Sequence, residues 1–136
     1  SRNSKILSSW QSRFRYILID EFQDINRVQY ETIKLLAKPN DNLFIVGDDD
    51  QSIYSFRGAK PEFLLNFPEE FADTKKIILN NNYRSTKNIV KVSRSVIKNN
   101  HKRYIKNMIT SNNDGKQPSV IETKDIGMKQ RQSLII

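Results

Sequence analysis

Two short apolar runs, each followed closely by acidic residues, constrain the fold more than any other feature of the sequence. Residues 16–19 (YILI) run directly into Asp20 and Glu21, and residues 43–46 (LFIV) run into Gly47 and three aspartates. A continuous apolar run rich in β-favouring residues is typical of a strand buried on both faces of a parallel sheet. The two runs therefore predict neighbouring strands of an α/β fold.

The segment between the two runs predicts the helix that a parallel connection requires. Asn26 can cap this helix, and Gln29 three residues later completes a capping box. Ile25 and Tyr30 occupy the positions of a hydrophobic staple, and the helix is expected to end near Ala37. Strand, helix and strand joined by short links form the βαβ unit of a parallel sheet.

Weaker patterns predict the elements that follow. Residues 76–79 (KIIL) suit a third strand, after a short helix that starts near Pro61. An amphipathic helix is expected from residue 85 or 86 to about Tyr104, because apolar and basic residues fall on opposite faces. Turn-forming residues at 111–115 predict a boundary, with one strand at 119–122 beyond it.

Composition narrows the functional classes. The net charge of +8 points to a polyanionic partner such as nucleic acid, although the charge could equally serve solubility alone. The absence of cysteine excludes disulfides and thiolate metal sites, and suits a reducing cytoplasm. No apolar run approaches the roughly 20 residues of a membrane span, so no membrane partner is expected.

The adjacent carboxylates of Asp20 and Glu21 are the first candidates for chemistry. Ligands of open α/β sheets bind outside the carboxyl ends of the strands, which is where these two acids lie. In a Walker B arrangement one acid holds Mg²⁺, directly or through water, and the next deprotonates an attacking water. Taken by themselves, the two acids could also merely mark the end of a strand.

Three strings resemble successive motifs of UvrD/Rep-like superfamily 1 DNA helicases. They are DEFQDINRVQ at residues 20–29, GDDDQSIYSFRGA at 47–59 and NNYRST at 81–86, in the family's order. The resemblance covers residues 10–106 and implies a RecA-like parallel sheet flanked by helices, part of a P-loop NTPase-type domain. ATP and Mg²⁺ are the implied cofactors, and single-stranded DNA and duplex junctions are the implied partners.

The resemblance assigns roles at the nucleotide. Asp20 resembles the magnesium-binding acid and Glu21 the general base, while Gln51 resembles the glutamine that reaches the γ-phosphate. Gln51 could instead be a turn residue that hydrogen-bonds its own loop. Arg84 resembles the arginine that stabilises charge at the γ-phosphate, and Tyr83 the aromatic that stacks on adenine. Gln23 and Asp24 complete the family's DExQD pattern and are expected to form a polar network under the site.

Two aromatic residues of the middle string resemble the family's DNA contacts. Tyr54 and Phe56 would stack on bases, although many relatives carry tryptophan at the second position. The alternative is two core aromatics on one strand face. Arg57 resembles a residue that pairs with the acids of the first string, which would couple the DNA loop to the nucleotide. The basic stripe at residues 87–102 could track DNA or be an ordinary solvated face.

None of the four glycines heads a G-x-x-x-x-G-K-[ST] phosphate loop. Residues 1–110 are therefore expected to be the C-terminal half of a first motor domain, and 111–136 the start of the next domain or a flexible tail. The rest of the helicase would supply the Walker A half and the second motor domain, so the chain alone is expected to be inactive.

The resemblance implies a helicase that moves 3′ to 5′ in DNA repair or replication. The alternatives are the helicase part of a helicase–nuclease and a non-catalytic DNA-binding module.

Overall fold

Two parallel strands joined by a helix organise the first part of the chain. In the computed structural model, which describes residues 3–120, helix α1 (Ser4–Gln11) leads to strand β1 (Ile17–Ile19), helix α2 (Arg27–Ala37) and strand β2 (Leu43–Ile45). The two strands pair in parallel, with Ile17 opposite Leu43 and Ile19 opposite Ile45. This mixed α/β arrangement, a small parallel sheet flanked by helices, confirms the predicted strand–helix–strand pattern.

The strands are not buried on both faces, so that expectation was wrong. Leu18 and Phe44 lie opposite each other in register and are 71% and 59% exposed, whereas their neighbours along each strand are half-buried. Within residues 3–120 no third strand pairs with either of the two. A continuous apolar run indicates that both faces of a strand are suited to burial. It does not indicate whether another element is present to cover each face.

The start of α2 follows the sequence closely. The Asn26 side chain accepts a hydrogen bond from the Gln29 amide at 3.0 Å, and the Gln29 side chain accepts one from the Asn26 amide at 2.9 Å. This reciprocal pair is the predicted capping box, which satisfies two of the N–H groups that a helix start leaves without partners. Ile25 and Tyr30, the two predicted staple residues, are both buried.

An aromatic cluster forms the core of this part of the chain. Two short helices, α3 (Glu62–Leu65) and α4 (Phe67–Glu70), follow β2. Phe22, fully buried after β1, contacts Tyr30 and Phe67 edge-on, with ring centroids 6.0 and 5.6 Å away. Phe63 stacks on Tyr30 at 4.3 Å. Edge-to-face aromatic packing adds to the stability gained from burial, so this cluster joins α2, α3 and α4 beneath the residues that follow β1.

The described residues divide into two compact units, one ending at Ile77 and the other beginning at Ile78. The strand predicted at residues 76–79 spans this division and is not formed; Ile77 and Leu79 are largely exposed. A strand needs a partner for its backbone groups, and none of the described residues pairs with this segment in a ladder. The strand predicted at 119–122 extends outside the described residues.

The second unit is built around helix α5 (Lys87–Ile97). This helix ends at Ile97, with Lys98 as its C-cap, which is seven residues earlier than predicted. Its start is held by a later segment: the amides of Lys87 and Asn88 donate to the carbonyls of Asn113 and Asp114 at 3.1 and 3.2 Å. The turn residues expected to mark a boundary therefore pack on the helix start. Among residues 3–120, no helix is long and apolar enough to cross a bilayer.

Glu70 ties α2 to α4 through two hydrogen bonds, one from the Tyr30 hydroxyl and one from the Lys34 ammonium. These bonds, that from Lys34 first, lower the pKa of the Glu70 carboxyl. The bond to Glu70 raises the pKa of Lys34, and burial raises the pKa of Tyr30. The charged form of Glu70 is thus favoured by folding, and the group stabilises the fold at neutral pH.

A carboxyl whose pKa is lowered by folding stabilises the folded state above its ordinary value, and that stabilisation is lost as the pH falls through the lowered value. We therefore expect the urea midpoint to fall on acidification below the ordinary value of 4.5. Glu70→Gln should lower the midpoint at neutral pH and weaken its dependence on acid. Glu69→Gln removes the same charge from the neighbouring exposed position. Identical acid dependence of the two variants would contradict a specific role for Glu70.

Candidate functional site

The loops that follow β1 and β2 lie side by side at one edge of the sheet. The Val46 amide donates to the carbonyl of Ile19 at 2.8 Å, and the Phe22 amide donates to the carbonyl of Val46 at 2.9 Å. These bonds continue the parallel ladder past the last residue of each strand. Asp20 and Glu21 are therefore held at the same sheet edge as the loop that follows Gly47, where α/β sheets bind ligands.

The Gln23 side chain links the two loops. It is 1% exposed; its amide nitrogen donates to Glu21 Oε2 at 2.8 Å, and its oxygen accepts from the Asp48 amide at 3.0 Å. The expected polar network therefore exists around Gln23. Asp24, the other residue expected in it, has one buried carboxylate oxygen with no partner among the described residues. A buried amide that uses both ends fixes the distance between the groups it joins.

Glu21 adopts a backbone conformation that non-glycine residues rarely occupy, with φ 50° and ψ 43°. Its amide donates to the carboxylate of Asp20 at 2.9 Å, and its own carboxylate accepts from Gln23. Such conformations persist only when the surroundings determine them, and they concentrate at functional sites. Both acids are exposed at the sheet edge, so their remaining oxygens face solvent.

Gly47 permits the close approach of the two loops. A Cβ atom at this position would lie 2.8 Å from the side-chain oxygen of Gln23 and 3.2 Å from a methyl of Leu64. The first distance is shorter than real Cβ contacts allow, so a side chain at residue 47 must displace the linking amide. Sequence reasoning identified Gly47 only as the end of a strand.

Gln51 lies in a short 3₁₀ turn (Asp49–Gln51) and is exposed. Its side-chain nitrogen donates to a carboxylate oxygen of Asp48 at 2.8 Å, and its backbone amide donates to the Asp48 carbonyl at 2.9 Å. The side chain is therefore bonded within its own loop, as the alternative interpretation describes. An amide on the surface can exchange such a partner for a phosphate oxygen, and the γ-phosphate role stays a prediction.

Tyr54, Phe56 and Arg57 form an exposed aromatic–cationic group on the next turn (Ser55–Arg57). The two rings are 5.8 Å apart between centroids, and the Arg57 guanidinium lies over both, at 5.1 and 5.4 Å. Phe56 is 75% exposed and Tyr54 is half-buried, and neither belongs to a strand. The alternative of two core aromatics on a strand face is therefore wrong.

The same loop is anchored beneath its exposed residues. Ala59 is buried and forms an isolated antiparallel bridge with Asn26, the residue that caps α2. Within residues 3–120, Arg57 forms no ion pair with the acids after β1. The expected pairing is thus not formed, since the guanidinium lies on the rings, and its coupling role stays a prediction.

Tyr83 and Arg84 belong to the second unit, where side-chain amides shape their loop. Asn82 Oδ1 accepts from the amides of Arg84 and Ser85 at 3.0 and 2.7 Å. Asn112 donates from its side chain to the carbonyls of Tyr83 and Ser85, both at 3.1 Å. Tyr83 and Arg84 are exposed.

Sequence reasoning missed Asn82 and Asn112. An asparagine followed within a few residues by a helix is a known turn signal and could have identified Asn82, whereas nothing in the sequence marked Asn112. The segment opposite the loop is tied to it by the bridge between Asn81 and Ile109. Gly115 lies in the left-handed region with φ 67°, so close to Thr86 that a Cβ would meet its side chain at 2.6 Å.

Comparison with known proteins identifies the arrangement. Residues 1–72 match the UvrD/REP helicase N-terminal domain, and residues 77–133 match the UvrD-like helicase C-terminal domain. The chain belongs to the UvrD/Rep helicase family. The first match ends at residue 72 and the second begins at residue 77, near the division between the two compact units. The motor-domain boundary expected near residue 110 stays a prediction.

Proteins with similar sequences are named as DNA helicases. The chain is 51% identical to YjcD of Bacillus subtilis (strain 168) over 113 residues, which are 83% of this chain and 15% of that protein. It is 46% identical over 114 residues to the ATP-dependent DNA helicase PcrA of Staphylococcus epidermidis (strain RP62A), covering 84% of this chain and 16% of the relative. The UvrD/Rep member described here therefore spans about a sixth of the length of these relatives.

We expect Gly47→Ala to destabilise the first unit by about 1–3 kcal/mol, because the added methyl displaces the Gln23 amide. The matched test is a double-mutant cycle with Gln23→Ala, measured by urea unfolding. Once the Gln23 amide is removed, the added methyl has one close neighbour fewer, so the two losses should be clearly less than additive. Strict additivity would show that the glycine is needed for another reason.

We expect Phe56→Ala to leave the free energy of unfolding almost unchanged, because the ring is exposed. The same truncation at Phe67, which is buried, should cost about 3–5 kcal/mol. If Phe56 stacks on bases, its loss should weaken single-stranded DNA binding. Phe56→Trp should strengthen DNA binding without changing the melting temperature. An unaltered DNA titration for both Phe56 variants would remove this residue from the site.

Proposed function

We propose that this chain is part of the motor of an ATP-dependent DNA helicase that couples ATP hydrolysis to movement along single-stranded DNA and to unwinding of duplex junctions. The observation that carries the proposal is the pair of sheet-edge loops joined by Gln23, in a chain of the UvrD/Rep family. The sheet is then part of a RecA-like fold, with the Walker A half and the second motor domain supplied by the rest of the protein.

The carboxylates after β1 fit a nucleotide–magnesium site. Mg²⁺ keeps several waters and needs only one or two protein carboxylates beside phosphate oxygens. Phosphate oxygens of the nucleotide would supply the remaining ligands. Asp20 would hold the ion, directly or through water, and the bound ion would neutralise charge on the phosphates.

Glu21 is the general base of the proposed reaction. Its carboxylate accepts one hydrogen bond from Gln23, which fixes its orientation and leaves the other oxygen at the exposed edge to take a proton from water. Gln51 would exchange its bond to Asp48 for the γ-phosphate, and Arg84 would stabilise charge there as the bond breaks. Tyr83, an exposed ring, would stack on adenine.

Tyr54 and Phe56 supply the DNA contact. Stacking on aromatic rings contributes about 1–3 kcal/mol per base and tolerates any sequence, as movement along DNA requires. Arg57 lies over both rings, and in the coupled state it would leave them to pair with the acids after β1. Unwinding from 3′ to 5′, in the cytoplasm and in repair or replication, is part of the proposal by family resemblance.

We expect Glu21→Gln in the whole protein to lower ATP turnover by about 10²–10⁴-fold, because an amide cannot accept the proton of the attacking water. The amide still offers an oxygen to Gln23, so the loop and nucleotide binding should be preserved. Glu31→Gln, which removes one charge from the exposed face of α2, is the control and should keep wild-type turnover. Turnover within a few-fold of wild type in Glu21→Gln would refute the assignment of Glu21 as the base. The chain by itself is expected to be inactive.

A further inference from the structure

The excess of positive over negative charge lies entirely in the second unit. Residues 78–136 carry twelve Lys and Arg against three Asp and Glu, a net charge of +9, whereas residues 1–77 carry eleven against twelve, a net charge of −1. The aromatic loop and the sheet-edge acids lie in the nearly neutral part. The net charge of +8 therefore comes from neither of these two sites.

Four of these cations form one stripe along α5 and its C-cap. Lys87, Lys91, Arg94 and Lys98 follow one another at spacings of four, three and four residues, so they share a helix face. They line one groove together with Met108 and Ile109, which close its other side. At 1.5 Å per residue the stripe is about 16 Å long.

The stripe differs from an ordinary solvated helix face, which mixes both signs. Each of its three neighbouring pairs is a like-charge pair at i,i+3 or i,i+4, an arrangement that destabilises an isolated helix. Lys87 is paired with Asp114 at 3.3 Å. Among the described residues, no carboxylate forms an ion pair with Lys91, Arg94 or Lys98. A partner that carries regularly spaced negative charge would remove this repulsion.

We infer that the groove between α5 and residues 108–110 binds the phosphate backbone of single-stranded DNA, as a second contact separate from the aromatic loop. Single-stranded DNA presents a regular row of phosphates along its backbone, so a stripe about 16 Å long can face several of them. The choice of DNA rests on the proposed function. The phosphate chemistry rests on the stripe itself, because its four cations line the groove.

The test measures how binding depends on salt. Labelled oligo(dT) is titrated with the whole chain, by fluorescence anisotropy, between about 0.05 and 0.2 M salt. The double variant Lys91→Gln with Arg94→Gln removes two phosphate contacts. We expect the slope of log K against log salt to flatten by about 1.4, and affinity to fall about 25-fold at about 0.1 M salt.

Two controls isolate the groove. Lys5→Gln with Lys75→Gln removes the same charge from exposed positions of the first unit and should leave the slope unchanged. Lys91→Arg with Arg94→Lys keeps the charge and should retain the wild-type slope, which separates lost contacts from lost folding. Equal slopes for the groove variant and the Lys5/Lys75 variant would overturn the inference.

Two further outcomes also decide the matter. Poly-L-glutamate or phosphatidylserine vesicles that bind as tightly as oligo(dT), with the same loss in the groove variant, would overturn DNA in favour of an acidic protein or a membrane surface. Tyr54→Ala with Phe56→Ala removes stacking but no charge, so it should lower affinity at every salt concentration and keep the slope. If the aromatic variant bound DNA with wild-type affinity while the groove variant showed a flatter slope, the role of the aromatic loop would be rejected and that of the groove supported.

Discussion

The candidate site depends on the two hydrogen bonds formed by the side-chain amide of Gln23. It lies fully buried between two loops that the sheet alone brings only to the same edge. One end fixes the Glu21 carboxylate and the other receives the first backbone amide after Gly47. Removing either partner would leave a buried polar group unsatisfied, at a cost of about 1–3 kcal/mol. The aromatic cluster around Phe22 supports this amide from below, so packing of the core and geometry of the acids are linked by adjacent residues.

Patterns that involve few residues close together in sequence were predictable. The capping box at Asn26 and Gln29 needs only one turn of helix, and the parallel strand pair follows from two apolar runs and one helix between them. The exposed position of Phe56 follows from the polar residues around it. In each case the local sequence contains all the groups that determine the structure.

Features that depend on distant partners were not predictable. Leu18 and Phe44 look like buried strand residues, and only the absence of a covering element within residues 3–120 makes them exposed. Residues 76–79 have strand character, but no described strand pairs with them. The role of Asn112 depends on carbonyl groups 27 and 29 residues earlier in the chain. Arg57 lies over two aromatic rings instead of pairing with an acid. Both kinds of partner attract a guanidinium, and the charge and spacing of the residues do not predict which one it contacts.

The exposed sheet face also has a consequence for handling the protein. Each of the two strands has one side without a ladder partner among the described residues, and the face between them presents Leu18 and Phe44 to water. Unprotected edge strands with apolar neighbours recruit strands from other copies, which leads to aggregation. Natural proteins suppress this by placing charges or bulges on such edges, yet β1 and β2 consist of Ile, Leu and Phe alone. We therefore expect aggregation to increase steeply with protein concentration. A lysine in place of Leu18 or Phe44 should extend the range of concentrations at which the protein stays in solution.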